Sequence, residues 1–186
     1  MLAQEIMVTD IPLLDLSSSV EEVRNFAIEE LLIDVPLGKE NEFKGLISLD
    51  ALIGLDGNTR INDLNNDVFY LFVDPETYFL DILKVFSKYE PSIIPVLKDG
   101  EYKGLIRSES LLSHFAQKFN FTEYGALISI TTEIINYELS QLTRLIESED
   151  LKILSLYSTI DSSQKHITTT IKLDKVQIRN LIATLN

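Results

Sequence analysis

The sequence predicts an α/β fold of the mixed α+β kind: two β-α-β-β-α repeats followed by a smaller β-α-β-β-α unit. Three observations predict it. A shift of 59 residues aligns the first third of the chain with the second third without a gap. Strand-like and helix-like hydrophobic patterns follow one another in the same order in both copies. The pattern changes after Phe119, where a new alternation of apolar and polar residues begins.

The internal repeat depends on identical residues that recur at one fixed offset. One offset that holds over a whole unit indicates a duplication. We therefore assign repeat 1 to residues 1–59 and repeat 2 to residues 60–120. The identical pairs are Asp15/Asp74, Pro36/Pro95, Lys39/Lys98, Glu42/Glu101, Lys44/Lys103, Gly45/Gly104, Leu46/Leu105, Ile47/Ile106 and Leu52/Leu111.

Each repeat has the signals of its own elements. In repeat 1, the apolar residues 11–16 predict a strand, and Ser19 with Glu22 has the spacing of a capping box at a helix start. Residues 34–37 and 43–48 predict two further strands before a short helix.

Repeat 2 follows the same order. Residues 68–73 predict a strand, Asp74-Pro75 predicts a helix start, and Asp99-Gly100 predicts a hairpin turn between strands at 93–97 and 102–107. A last helix carries an apolar stripe of Leu111, Leu112, Phe115 and Phe119.

The remaining residues, 123–186, predict the third unit. Alternating residues predict strands at 126–132, at 151–160 and up to Leu173, while Asn136 and Asp174 are candidate caps for two helices. This order is a β-α-β-β-α-β unit without its last strand. The chain ends at Asn186, so we expect either that the sequence is cut short or that another chain completes the sheet.

Composition limits the function. The net charge of −13 disfavours binding to nucleic acid or to an anionic membrane surface. There are no cysteines, so disulfides and thiolate sites are excluded. No secretory signal and no apolar run long enough to span a membrane are found, which makes the cytoplasm the expected location.

The chain lacks the common catalytic motifs. It has no P-loop, no GxGxxG and no GxSxG. The two histidines, His114 and His166, fall in different predicted domains, which disfavours a shared metal site. We therefore expect no catalytic residues, no metal and no enzymatic activity.

The first 120 residues resemble a pair of CBS domains. The resemblance depends on Val35-Pro36 and Ile94-Pro95, on the runs GLIS and GLIR that begin at Gly45 and Gly104, and on a leucine seven positions after each glycine. It implies two repeats packed about a pseudo-twofold axis, dimerisation, and clefts that often hold adenosine-containing ligands. The candidate cleft residues are Val35, Pro36, Ser48, Ile94, Pro95 and Arg107.

The sequence departs from the nucleotide-binding pattern at two positions. Such members usually carry Asp six residues after the glycine, where it holds the ribose; here these positions are Ala51 and Ser110. Asp50 and Glu109 lie one residue earlier, about 100° away on a helix, and suit the first helical turn instead. No cofactor is required, and an adenosine-type nucleotide is allowed by the resemblance but disfavoured by Ala51 and Ser110.

The sequence allows two interpretations of Arg107. It stands where the family usually has Ser or Thr, and an arginine there could bind a phosphate with forked hydrogen bonds. Alternatively it is a solvated side chain at a strand end, paired with Glu109.

The third unit resembles an ACT domain, and the whole arrangement resembles the acetoin utilisation protein family. ACT domains that bind amino acids typically have a glycine between the first strand and the first helix. Residues 133–137 contain none, so an amino-acid ligand is not supported.

Two functional hypotheses follow. The first is a homodimeric regulator or sensor, joined through its CBS helices, whose CBS pair binds a small ligand or couples to an unidentified protein partner. The second is a structural or protein-interaction module whose clefts are empty.

Overall fold

The computed structural model describes residues 1–64 and 68–185. The chain divides into two compact units, Met1–Leu112 and Ser113–Asn186. Strands and helices follow one another in both units, as the sequence predicts. The predicted boundaries between residues 59 and 60 and at 123 remain predictions.

Unit 1 contains one five-stranded sheet. Its strands run in the order β1-β2-β5-β4, and β3 pairs with β2. Its elements are α1 (Val20–Glu29), β1 (Asp34–Lys39), β2 (Glu42–Ser48), β3 (Val68–Phe69), α2 (Phe79–Tyr89), β4 (Ile93–Lys98), β5 (Glu101–Arg107) and the start of α3 (Ser108–Lys118), with short 3-10 helices at Ala3–Glu5, Leu49–Leu52 and Ile61–Asp63.

The two repeats have the same hairpin. In both, two antiparallel strands pair in one register, with an irregularity at Leu37/Gly38 in the first and at Val96/Leu97 in the second. The hairpins meet where Glu42 of β2 pairs with Glu101 of β5. Equivalent residues thus face each other about the pseudo-twofold axis.

The first segment of each repeat pairs with a strand of the other repeat. Val8 forms an antiparallel bridge with Leu105, and Phe69 pairs with Leu46. Both contacts require glycine next to them: Gly104 has φ +150°, and a Cβ there would lie 2.2 Å from the Val8 carbonyl oxygen. The equivalent Gly45 has φ +144° and lies against β3. The glycine of each GLI run therefore permits the close passage of a second chain segment.

Three predicted elements of unit 1 are shorter than expected. Residues 11–16 and 68–73 each contribute a single parallel bridge, through Leu14 and Val73, and the second also contains β3. The second helix begins at Phe79 and not at Asp74, because Asp74 instead accepts a hydrogen bond from the Glu76 N–H in a local turn. The capped start of α1 at Ser19 is confirmed.

The repeats share part of their hydrophobic core. One cluster of buried side chains contains residues of both hairpins, so this part of the core needs both repeats. Its members are Ile11, Leu32, Phe43, Leu46, Ile93, Leu97, Tyr102 and Leu105.

Unit 2 contains a three-stranded antiparallel sheet in the order β6-β8-β7. Helix α4 connects β6 to the parallel β7, and β8 lies between them, which is the split β-α-β arrangement of ferredoxin-like folds. Its elements are β6 (Leu127–Glu133), α4 (Leu139–Ser148), β7 (Ile153–Ile160), β8 (His166–Leu173) and α5 (Arg179–Leu185).

The predicted caps of this unit are wrong. Asn136 donates to Glu133 at 3.2 Å, and α4 begins later, at Leu139. Asp174 accepts from the Lys152 N–H at 2.8 Å, and α5 begins at Arg179. In both places the polar side chain satisfies a neighbouring segment in preference to a helix end.

The apolar stripe on α3 is not one exposed face. Leu111 is buried, whereas Leu112 is exposed. The rings of Phe115 and Phe119 stack with centroids 4.6 Å apart, and both contact Phe121. Of the predicted stripe, Leu112 is the residue whose side chain is largely exposed.

Candidate functional site

Four of the predicted cleft residues lie in the interior of the sheet. Val35 and Ile94 have no exposed surface, and Pro36 and Pro95 are buried beside them. The Pro36 carbonyl accepts from the Leu14 N–H, and the Pro95 carbonyl accepts from the Val73 N–H, both at 2.9 Å. These four side chains are therefore buried and do not form an exposed binding surface.

The prolines are tolerated because of where their nitrogens point. On one side β1 pairs with β2, and on the other it has only the short segment around Leu14. The Pro36 carbonyl points to that outer side, so the missing N–H would also have pointed there, where β2 does not need it. The same holds for Pro95 and Val73.

Ser48 ends β2 and starts the short 3-10 helix Leu49–Leu52. Its hydroxyl accepts a hydrogen bond from the Asp50 N–H at 3.4 Å, which caps the helix. Asp50 is exposed in the first helical turn, as the sequence suggested, and Ala51 packs against the core of repeat 1. In repeat 2, Glu109 and Ser110 occupy the corresponding first turn of α3.

Arg107, the repeat-2 equivalent of Ser48, reaches across to repeat 1. Its guanidinium donates to the carbonyl oxygens of Glu30 at 2.9 Å and Leu31 at 3.3 Å, which end α1. Neither interpretation of Arg107 from the sequence included these two carbonyl partners. A cation at a helix C-terminus donates hydrogen bonds to carbonyls that have no partner within the helix, and its charge interacts favourably with the helix dipole.

A second contact joins the repeats beside Arg107. The carboxylate of Asp34, at the start of β1, accepts from the Ser92 N–H at 2.7 Å and from the Ser92 hydroxyl at 2.8 Å. The Asp34 N–H in turn lies 2.9 Å from Ser92 Oγ. Asp34 is 6 % exposed, so this charge is desolvated and held by hydrogen bonds.

Sequence reasoning missed this pair. A signal was available, because the 59-residue shift aligns Asp34 with Ile93 and Ile33 with Ser92. A carboxylate at the start of a strand that is apolar in the other copy needs a buried partner. The alignment does not say which residue that partner is, since Ser92 belongs to the other repeat.

The junction of the repeats offers binding groups and no reactive pair. Among its described residues are a guanidinium, a buried carboxylate and two serine hydroxyls, of Ser48 and Ser92, each hydrogen-bonded within the protein. A guanidinium has five N–H donors, so Arg107 can hold its two carbonyls and still donate to an anion. Within residues 1–64 and 68–185, no group of three or more carboxylate or imidazole side chains could hold a metal ion.

Comparison with known proteins agrees with this fold. A family model described as "CBS domain" matches residues 63–117. A CBS domain pair/ACT domain protein from Thermotoga maritima has a similar structure, with a TM-score of 0.56 and 20 % identity over 63 % of this chain and 98 % of that chain. No curated protein sequence matches the chain significantly.

Two further similar structures were solved with nucleotides. One is CBSX2 in complex with AMP, with a TM-score of 0.55 and 17 % identity over 62 % of this chain and 96 % of that chain. The other is the CBS domain of a bacterial CNNM/CorC family Mg²⁺ transporter in complex with ATP. Its TM-score is 0.52, with 15 % identity over 62 % of this chain and 87 % of that chain.

These comparisons and the geometry define the class of fold. Unit 1 is a CBS domain pair. At these identities the similar structures establish the fold alone. No helix within the described part of the chain combines the length and the apolar character that crossing a membrane requires.

Proposed function

We propose that this chain is a non-catalytic, cytoplasmic regulatory module, in which the CBS pair binds a small ligand or couples to a protein partner. One observation carries the proposal: at the junction of the repeats, Arg107 and Ser92 of repeat 2 bond directly to the end of α1 and to Asp34 of repeat 1. A ligand that changes the geometry of one repeat at this point must also move the other, which is how a sensor transmits binding.

The ligand that suits this junction is a small anion-bearing molecule. A phosphate accepts hydrogen bonds from a guanidinium more strongly than a carbonyl does, so it can compete for or share Arg107. The AMP- and ATP-bound structures of similar CBS proteins make nucleotides the natural first candidates. Ala51 and Ser110 supply no carboxylate for the ribose, so we expect weak binding of adenosine nucleotides.

The second candidate is an interaction module with empty clefts. It is favoured by the contacts that Arg107 already makes, since the end of α1 takes up two of the N–H donors that a phosphate could use. It is also favoured by the full burial of Val35 and Ile94.

Native mass spectrometry of freshly purified chain distinguishes the two candidates. A retained or titratable small-molecule adduct supports the sensor, and Arg107→Leu should remove it while Arg24→Leu, whose guanidinium caps the 3-10 helix near Leu52, should not. A chain that takes up no phosphate, nucleotide or metabolite-sized ligand supports the interaction module.

The proposal includes a homodimer formed through CBS helices. Large apolar side chains remain exposed on or next to these helices, and isologous twofold packing is the commonest way to cover such a surface. Sedimentation of the full chain at tens of micromolar is the test, and a monomer would rule this part out. These side chains are Ile28, Leu31, Leu80 and Leu112.

A further inference from the structure

We infer that β6 pairs with β6 of a second copy of this chain. The two three-stranded sheets then form one antiparallel six-stranded sheet. The inference concerns unit 2 and does not depend on the proposed function of the CBS pair. It starts from the sheet order, β6-β8-β7, which leaves β6 at an edge with β8 as its neighbour in the described part of the chain.

The hydrogen bonds identify which groups of β6 point outwards. Ala126 and Ile134 bond to the β8 side, through Leu173 and Lys165. Because antiparallel pairing alternates residue by residue, the even-numbered residues of the strand bond to β8, and the odd-numbered ones point their N–H and C=O groups to the outer edge. The outward residues are Leu127, Ser129, Thr131 and Glu133.

One register uses all of these outward groups. If two β6 strands meet about a twofold axis at Ile130, Leu127 pairs with Glu133 of the second copy and Ser129 pairs with Thr131. Each such pair exchanges two backbone hydrogen bonds, about eight in all. The two Ile130 side chains then form the central non-hydrogen-bonded pair, with Cα atoms about 4.5 Å apart.

The side chains suit this register. Ser129 and Thr131 already form hydroxyl contacts with Thr170 and Thr168 of β8, so their pairing across the axis would extend a hydroxyl ladder between the copies. On the other face, Ile130 borders a cleft of about 240 Å³ that also includes Leu142 and Leu185. The second copy would bring its own Ile128 and Ile130 to that side.

Charge also permits the pairing, although the chain as a whole carries −13. Glu133 is the one charged residue of β6, and in this register it lies opposite Leu127. The two Glu133 side chains are six residues apart along the sheet, about 20 Å, which exceeds the screening length of about 8 Å in physiological salt. Like charges therefore do not meet.

The opposite edge of the sheet is less suited. The register of β7 against β8 shifts between Ile153 and Ser155, whereas β6 pairs with β8 without any shift. An irregular strand resists the addition of another strand, and an even one accepts it. Pairing of β6 with itself is also closed by symmetry, whereas pairing of β6 with β7 would continue into a fibre.

The absence of cysteine allows a direct test on the full chain. Ile130→Cys places two thiols in the central pair, within the Cα separation that a disulfide requires. Ile128→Cys is the matched control on the same strand and face, because its two copies lie about 14 Å apart in this register. Under mild oxidation we expect a covalent dimer from Ile130→Cys, at least tenfold faster than from Ile128→Cys. Equal or negligible rates for the two variants would overturn the inference.

A second measurement guards against a loss of folding in these variants. Thr131→Pro removes one outward N–H and leaves the bonds to β8, while Thr131→Val keeps that N–H and loses the same hydroxyl. We expect concentration-dependent hydrogen-exchange protection at residues 127, 129, 131 and 133 in the parent chain and in Thr131→Val. In Thr131→Pro, protection at 127, 129 and 133 should disappear. Protection that does not change with concentration or with the proline would mean that another occupant covers this edge.

Discussion

Asp34 and Ser92 are joined by hydrogen bonds to both side-chain and backbone groups, although they belong to different repeats. Because the Asp34 carboxylate is buried, removal of a donor leaves part of a charge without a partner. We expect Ser92→Ala to lower the free energy of unfolding by about 1–3 kcal/mol. Urea unfolding of unit 1, followed by a signal specific to it, measures the change.

Ser87→Ala is the control for that experiment, since Ser87 is exposed on α2. It should change the free energy of unfolding by no more than about 0.5 kcal/mol. Equal effects of the two substitutions would show that the hydrogen bonds to Asp34 contribute nothing to the joining of the repeats.

The buried hydroxyl of Tyr102 should lower the free energy of unfolding at alkaline pH. Burial, with a smaller contribution from Asp10, raises the pKa of the Tyr102 hydroxyl far above its usual value. Above about pH 10 the unfolded chain therefore loses a proton that the folded chain keeps, and stability falls as pH rises. In Tyr102→Phe the free energy of unfolding should not show this loss at high pH. Urea unfolding between pH 7 and about pH 11 measures the slope.

At neutral pH the same substitution has a cost. The Tyr102 hydroxyl donates to the Ile11 carbonyl at 3.0 Å, and its loss should reduce the free energy of unfolding by about 1 kcal/mol. Tyr89→Phe, at an exposed site on α2, is the control. It should change neither the free energy of unfolding at neutral pH nor its slope at alkaline pH. An unchanged alkaline slope in Tyr102→Phe would contradict the assignment.

Gly104→Ala should strongly destabilise unit 1. The added Cβ would lie 2.2 Å from the Val8 carbonyl oxygen at a φ that side chains rarely adopt, so the bridge to Leu105 must break or shift. We expect a loss of about 2 kcal/mol or more, measured by thermal unfolding. Gly57→Ala, where the nearest atom would be 3.4 Å away, should be nearly neutral. Comparable losses at the two sites would argue against a close passage of the N-terminal segment.

Carboxylates restored at the ribose positions should increase nucleotide binding. Thermal unfolding of the parent chain should hardly change with millimolar AMP, ATP or S-adenosylmethionine. Ala51→Asp and Ser110→Asp should gain a nucleotide-dependent rise, up to about 2.7 kcal/mol of stability at 100 times the dissociation constant. Ala51→Asn and Ser110→Asn keep the size without the charge and should gain less. A rise of several degrees already in the parent chain would show that binding does not need these acids.

The strands and helices of unit 1 were predictable where the pattern was local. The hairpins β1-β2 and β4-β5 were expected within two residues of their ends, since short apolar runs and, in the second hairpin, the Asp99-Gly100 turn indicate them. The helix starts at Asp74, Asn136 and Asp174 were not. In each case the same polar side chain could cap a helix or bond nearby, and packing of the chain decided between them.

The sequence identified some residues of the candidate site, but it did not predict which residues they contact. The repeat identified Arg107 as an unusual residue at the end of β5, but its partners, which directly follow α1, are 76 and 77 residues away in the sequence. Ser92 and Asp34 are 58 residues apart, and nothing local distinguishes this serine from exposed ones. Such contacts arise from the docking of one repeat against the other, which no short window of sequence contains.

The exchange of segments between the repeats has a consequence for biosynthesis. Val8 is translated before most of the first repeat, yet its partner Leu105 appears when the second repeat is almost finished. Contacts between distant residues slow folding, because the intervening chain must first be ordered. The bridge between Val8 and Leu105 can therefore form only when both repeats have been translated. Until then, the first repeat lacks the backbone partner of Val8.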